Sequence, residues 1–370
     1  MYQRVLQPIS ARKGVEIDIE GCSYISFVHN DYLNLSQSSY FDQHIEKILK
    51  EHGMGSGGSR LLGGDHDLFH DLETDLAGLF VHKECLLFNS GYQCNIGVIA
   101  SFFKKGDVIF ADKYIHASCI DAIRLSGAKL VRYRHLDLVH LKTLLAKNRY
   151  RYRRALLLSE SLFSMDGDIA DIDGLIALKK LHDCFLMIDD AHAFGVLGKR
   201  CLGLGDDYQE GIDFIVGTFG KALGGQGAFV LCDLSFKLEM VQSCRSFIYS
   251  TSLPLPVIAW NRSALQWILN HQSIIHDYCF RVQQFKRSLG GCMTCLGEAH
   301  ILSLLFQDTH ILLQVVAHLK EKGFFVAPIF SPTVPLGLER IRLSLTRLHT
   351  ESILDQFLSD LNGSISKISS

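Results

Sequence analysis

Along residues 67–80 the apolar side chains Leu68, Leu72, Leu76, Leu79 and Phe80 fall mostly three or four apart, the spacing of one helical face, and Asp65 or Asp67 is available to cap its start. Beyond this helix the pattern changes. Short continuous apolar runs at 85–88, 108–110, 155–158, 185–188, 214–216 and 228–231 are separated by stretches of helical period. Runs that are apolar at every position suit strands buried on both faces, and their alternation with helices predicts an α/β layer around a mainly parallel sheet. Several runs end in side chains capable of chemistry: Ser159 and Glu160, Asp189 and Asp190, Thr218 followed by Lys221. Open α/β sheets bind ligands outside the carboxyl ends of their strands, so these ends are expected to converge on one crevice.

Past Pro256 a long helical stretch leads into a region of different texture from about residue 290. It holds an apolar run at 301–306, a turn-rich segment at 331–337, alternating residues at 340–345 and a last helix capped by Thr350. The expected organisation is an N-terminal segment over 1–42, a large domain over 43–265 and a smaller α+β C-terminal domain over 266–370.

Charge and cysteine content narrow the function classes. Lys and Arg number 37 against 39 Asp and Glu, a formal charge of −2, so neither nucleic acid nor membrane is an expected partner. The eleven cysteines are scattered, and only Cys292 and Cys295 lie close, with no second pair to complete a four-thiolate zinc site. They fit reduced apolar fillers of a cytoplasmic protein. No run approaches the roughly 20 apolar residues that cross a bilayer, and residues 1–14 lack the apolar core of a secretory signal.

Phosphate-loop, dinucleotide-binding and nucleophile-elbow motifs are absent: Gly220-Lys221 is followed by Ala222, and neither G-x-G-x-x-G nor G-x-S-x-G occurs. His66 and His70 share a helical face, as zinc-protease ligands do. Asp67 stands where those enzymes need Glu and no third ligand is evident, so no metal is expected. The stronger constellation is Asp189 three residues before His192 and Thr218 three before Lys221. A strand-end carboxylate can keep a pyridine nitrogen protonated as an electron sink, and a lysine in a turn of small residues can form an imine with an aldehyde. Ser90-Gly91-Tyr92 opens a helical segment after the 85–88 run, where backbone N–H groups suit a phosphate. The basic run Lys147, Arg149, Arg151, Arg153 and Arg154, interleaved with Tyr150 and Tyr152, is either a solvated edge or a dock for an acidic acyl donor.

Taken together, these motifs resemble the α-oxoamine synthases, pyridoxal-phosphate enzymes of fold type I (aspartate aminotransferase-like). The resemblance runs from about Asn30 to His349. It rests on 30–35 (NDYLNL), 55–60 (GSGGSR), 90–92 with Asn95, 116–118 (HAS), 160–168 (ESLFSMDGD), 189–192 (DDAH), 217–221 (GTFGK), 249–252 (YSTS) and 340–342 (RIR). The likeness implies that Lys221 holds pyridoxal 5'-phosphate and acts as the base, that Asp189 bonds the pyridinium nitrogen, and that His116 stacks on the ring. His192 and Ser164 would address the phenolic oxygen, and Ser90, Gly91, Tyr92 and Thr218 the phosphate, with Thr251 and Ser252 reaching it from the second subunit of a homodimer. Arg342, assisted by Asn30, would pair with the amino-acid carboxylate, and Arg4 is the candidate for the acyl group. The implied reaction is a decarboxylative condensation of L-alanine with pimeloyl-CoA or pimeloyl-acyl carrier protein, a C-acyl transfer. Another family member, using glycine and acetyl-CoA, is the alternative.

Overall fold

The computed structural model describes residues 5–289 and 293–369; Arg4 and Cys292 lie outside them. The chain divides into two compact units, one of Ser38–Phe163 and Ile169–Asn270, the other of Met1–Gln37, Ser164–Asp168 and His271–Ser370. Among the described residues no helix is long and apolar enough to cross a membrane.

The first unit is built on seven strands in the order Glu84–Phe88, Ala228–Cys232, Phe214–Thr218, Phe185–Asp189, Ala155–Glu160, Val108–Asp112 and Lys129–Tyr133. All neighbours pair in parallel except Ala228–Cys232, which is antiparallel to both of its partners. The six apolar runs are all strands, and the sheet is mainly parallel as expected. The seventh, Lys129–Tyr133, escapes the pattern because it lies at the sheet edge, where Lys129 and Arg132 are exposed and no apolar run is needed.

Side-chain alternation decides which strand ends face which cover. Ile109, Ala111, Leu156, Leu158, Met187, Phe214 and Val216 form one face and pack on Cys94, Val98, Ile99 and Phe102 of the helix Gly91–Phe102 and on Cys119, Ala122 and Ile123 of the helix Ala117–Ser126. Continuing the same parity, Glu160, Asp189 and Thr218 belong to this face, directed towards the helix starts at Ser90 and His116. The convergence follows from the period of two and the parallel direction, not from any loop.

The second unit has two four-stranded sheets. One joins Ala11–Lys13, Glu16–Ile19 and Cys22–Ser26 to Phe324–Phe325; the other orders Cys295–Leu296, Ile301–Leu305, Arg340–Ser344 and Ala327–Ile329, antiparallel throughout. His349 stacks on Phe27 with ring centroids 4.3 Å apart. Its Nδ1 accepts the Thr346 N–H and its Nε2 faces the Ser26 carbonyl, and burial pulls its pKa down to about 3, so it packs as a neutral ring. Thr350 caps the last helix, Glu351–Ser369, as expected, its hydroxyl accepting the Ile353 N–H at 3.3 Å.

Two expectations change. The helix Asp67–Ala77 is capped not by Asp65 or Asp67 but by His66, whose Nδ1 accepts the Leu68 N–H, while His70 bonds Asp65 at 2.6 Å. Nor is the basic run uniformly solvated. Arg149 is buried and clamps the C-terminus of the helix Ile172–His182, donating to the carbonyls of His182 (3.0 Å), Asp183 (2.6 Å) and Tyr152 (3.1 Å). Arg153 pairs with the fully buried Asp107 at 2.9 Å. Lys147 and Arg151 remain exposed. Arg149→Ala is expected to lower the unfolding free energy by about 2–3 kcal/mol, because three carbonyls lose a charged donor. In urea titrations Arg151→Ala should leave the midpoint unchanged; equal effects of the two substitutions would contradict the clamp.

Candidate active site

At the carboxyl end of Phe185–Asp189 the Asp189 side chain is 7% exposed and held by two donors. Asn95 Nδ2 reaches its Oδ2 at 2.8 Å and the Ala191 N–H its Oδ1 at 3.1 Å. The same Asn95 amide donates to Ser118 Oγ at 2.9 Å, and Ser118 Oγ meets His116 Nδ1 at 2.8 Å. One chain of bonds therefore links the helix Gly91–Phe102, the strand end and the start of Ala117–Ser126. His116 Nδ1 also accepts the Ser118 N–H (3.2 Å), which leaves Nε2 as the protonated nitrogen of a neutral ring. Burial lowers its pKa; Asp189 opposes that shift and the Lys221 ammonium adds to it. His116, Asp189 and Lys221 are thus close enough to act electrostatically on one another.

The adjacent Asp190 does different work. Its oxygens take the N–H groups of Gly205 (3.0 Å) and Leu204 (3.2 Å) and bond the Ser161 hydroxyl. Burial pushes its pKa up to about 6, against those hydrogen bonds. Gly203 has φ +88°, and a Cβ there would stand 1.9 Å from Asp190 Oδ2, so the approach of this turn to Asp190 requires glycine. Asp190 is structural. His192, two residues after Asp190, is buried.

The phosphate candidates lie on three segments. Ser90 caps Gly91–Phe102, its Oγ accepting the Gln93 N–H at 3.2 Å, and a Cβ added at Gly91 would meet no atom within 4 Å. Tyr92 turns its hydroxyl to Asp121 Oδ2 at 2.5 Å. Thr218 donates its hydroxyl to the Gly227 carbonyl (2.9 Å) and accepts the Gly220 N–H (3.2 Å), shaping the loop that presents Lys221. Ser252 donates to the Gly58 carbonyl at 3.0 Å, and the Thr251 carbonyl accepts from Asn89 Nδ2 at 2.5 Å.

In the second unit the strand Arg340–Ser344 is buried along its whole length. Arg340, 1% exposed, pairs with Asp166. Arg342, 8% exposed, has a different set of partners: Nε donates to the Ser164 carbonyl (2.6 Å), Nη1 to Ser344 Oγ (2.5 Å) and Nη2 to Asn30 Oδ1 (3.3 Å). Asn30 Oδ1 also accepts from Tyr32 at 3.2 Å. Arg342 is therefore a buried cation surrounded by neutral oxygens.

Asn95, Ser118 and Tyr32 lie within the sequence motifs but carry no assigned role there, and Ser344 lies outside them. Ser344 could have been singled out, since i and i+2 share a strand face; Asn95 and Ser118 owe their places to packing between distant segments. Replacing Asn95 by Ala strips a buried carboxylate of its side-chain donor and should cost about 1–3 kcal/mol. Asn95→Asp should cost more at neutral pH and recover on acidification, because it opposes two carboxylates. Denaturant melts at two pH values read this; identical pH dependence in the two variants would contradict the bond as described.

Residues 23–361 match the aminotransferase class I and II family. An 8-amino-7-oxononanoate synthase of Lysinibacillus sphaericus is 35% identical over 362 residues, covering 97% of this chain and 93% of its own. Among solved structures, the serine palmitoyltransferase of Sphingomonas wittichii superposes with a TM-score of 0.92 at 25% identity, over 96% of this chain and 90% of that one. The 8-amino-7-oxononanoate synthase of Francisella tularensis superposes with a TM-score of 0.81 at 27% identity, over 94% of this chain and 99% of that one. With similarity along nearly its whole length and the fold held in common, the chain belongs to the aminotransferase class I and II family.

Proposed function

We propose that this chain is a pyridoxal 5'-phosphate-dependent 8-amino-7-oxononanoate synthase, joining L-alanine to a pimeloyl thioester with loss of carbon dioxide, a step of biotin biosynthesis. The observation that carries the reading is the near-full-length similarity to synthases of that name. The residues present fit the cofactor at two places. Asp189 is a buried carboxylate fixed by donors on both oxygens, suited to a protonated ring nitrogen, and the helix start at Ser90 and Gly91 is open at the Cβ position of Gly91. Ser90, Gly91, Tyr92 and Thr218 are assigned to the phosphate, Thr251 and Ser252 to the phosphate of a second copy in a homodimer, and Ser164 and His192 to the phenolic oxygen. When bound, the cofactor supplies an aldehyde for imine formation with an amine and a heterocycle that accepts electron density from Cα.

What remains falls to the chain. Lys221 would hold the cofactor aldehyde, and its Nζ as a free amine would take the Cα proton of alanine. His116, kept neutral by burial, offers a flat ring that adds no positive charge beside a protonated heterocycle. Asn30, Ser164 and Ser344 each accept one N–H of the Arg342 guanidinium and the Tyr32 hydroxyl bonds it as well, so neutral oxygens hold the group in place and its charge is kept for a carboxylate. The overall change forms a bond from alanine Cα to the thioester carbonyl carbon, expels the thiol and releases the alanine carboxyl as carbon dioxide. Arg4, assigned to the acyl group, lies outside the described residues.

Incubating the purified protein and cofactor with alanine and pimeloyl-CoA or pimeloyl-acyl carrier protein should yield 8-amino-7-oxononanoate, identified by mass spectrometry. Preferential turnover of glycine with acetyl-CoA would overturn the substrate assignment. Arg342→Gln should raise the KM for alanine on the order of 100-fold, the loss of a charge-assisted pair; an unchanged KM would remove Arg342 from that role.

A further inference from the structure

Glu160 is the one strand-end carboxyl on this face without an explanation. It ends Ala155–Glu160 and is the register partner of Asp189 on the adjacent parallel strand, so both carboxyls project to the same side of the sheet. Glu160 is 3% exposed, and its Oε1 is buried without a hydrogen-bond partner. Asp189 differs in having donors on both oxygens. Two carboxylates side by side in a buried sheet cannot both hold charge cheaply, and the one with fewer donors takes the proton.

We propose that Glu160 is a positioning residue for Asp189: it keeps its proton at neutral pH, so that Asp189 is the only anion of the strand-end pair. The groups around Glu160 are Asp189 on one neighbouring strand, His116 and Cys119 at the start of Ala117–Ser126 and the Lys221 ammonium from its loop, with Asp112 at the end of the other neighbouring strand and on the opposite face of the sheet. Burial acts first and Asp189 second in raising the Glu160 pKa well above the carboxylate range; Lys221 and the His116 backbone N–H oppose this, and Asp112 adds to it. Asp112 is occupied with His135, whose Nδ1 lies 2.7 Å away. A neutral Glu160 spares Asp189 a like-charged neighbour on the adjacent strand. Asp189 is then the carboxyl of the pair that holds a positively charged heterocycle.

That last consequence rests on the function proposed above, whereas the protonation of Glu160 does not, and the experiment reads the proton directly. Difference infrared spectra of the full-length protein at neutral pH, wild type minus Glu160→Gln, should contain the carbonyl band of a protonated carboxyl, lost in the variant. Asp190 is common to both proteins and cancels. Asp189→Asn should move the pH at which the band disappears downwards by about one unit or more, since it removes the like charge. Thermal melts give a second reading. Folded Glu160 stays protonated while the unfolded side chain ionises, so wild-type stability falls relative to Glu160→Gln as pH rises from the ordinary carboxylate range towards the folded pKa. Below that range the difference between the two proteins is constant. If no protonated-carboxyl band is lost in Glu160→Gln, or if the difference in Tm does not change with pH, the proposal is wrong. Cofactor binding that fails while the band is present would instead count against the proposed function alone.

Discussion

A carboxylate that must stay charged at the end of a doubly covered sheet needs donors, and Asp189 obtains them from Asn95 Nδ2 and the Ala191 N–H. That first bond is the constraint on which the site depends. It ties the helix Gly91–Phe102 to the strand Phe185–Asp189, and through Ser118 it fixes the tautomer of His116. The core supports it from below: helix residues from Cys94 to Phe102 pack on the same sheet face that ends in Glu160, Asp189 and Thr218. Apolar burial thus sets the distance at which the polar bond forms.

Three carboxyls at this sheet end have three fates set by their surroundings. Asp190 is surrounded by N–H groups and holds a turn, Asp189 faces one amide and one backbone N–H, and Glu160 has an oxygen with no donor. The same logic separates the arginines of Arg340–Ser344. Arg340 is neutralised by Asp166, while Arg342 is surrounded by carbonyl, hydroxyl and amide oxygens that orient it without cancelling its charge. Desolvation makes an oriented, uncancelled cation a strong recognition element for an anion.

Much of this was legible in the chain itself. The strands 155–160 and 185–189 show because continuous apolar runs have few other homes, and Asp189, Lys221 and Arg342 show because their motifs occur in one order. What escaped depends on partners far away in sequence. The edge strand Lys129–Tyr133 needs no apolar run, and His66 caps a helix although oxygen-bearing side chains are the usual choice. Arg149 sits in a charged run yet is buried because helix-end carbonyls lie within its reach. Asn95 and Ser118 were part of recognised motifs, but their role emerges only when two helices and a strand end meet.

The central claim is that Lys221 carries the reactive amine opposite the charge of Asp189. Borohydride reduction of the protein saturated with pyridoxal 5'-phosphate, followed by peptide mass spectrometry, tests it most directly. The expected result is a single peptide bearing the phosphopyridoxyl mass on Lys221. An unmodified Lys221, or a label distributed over surface lysines, would contradict it.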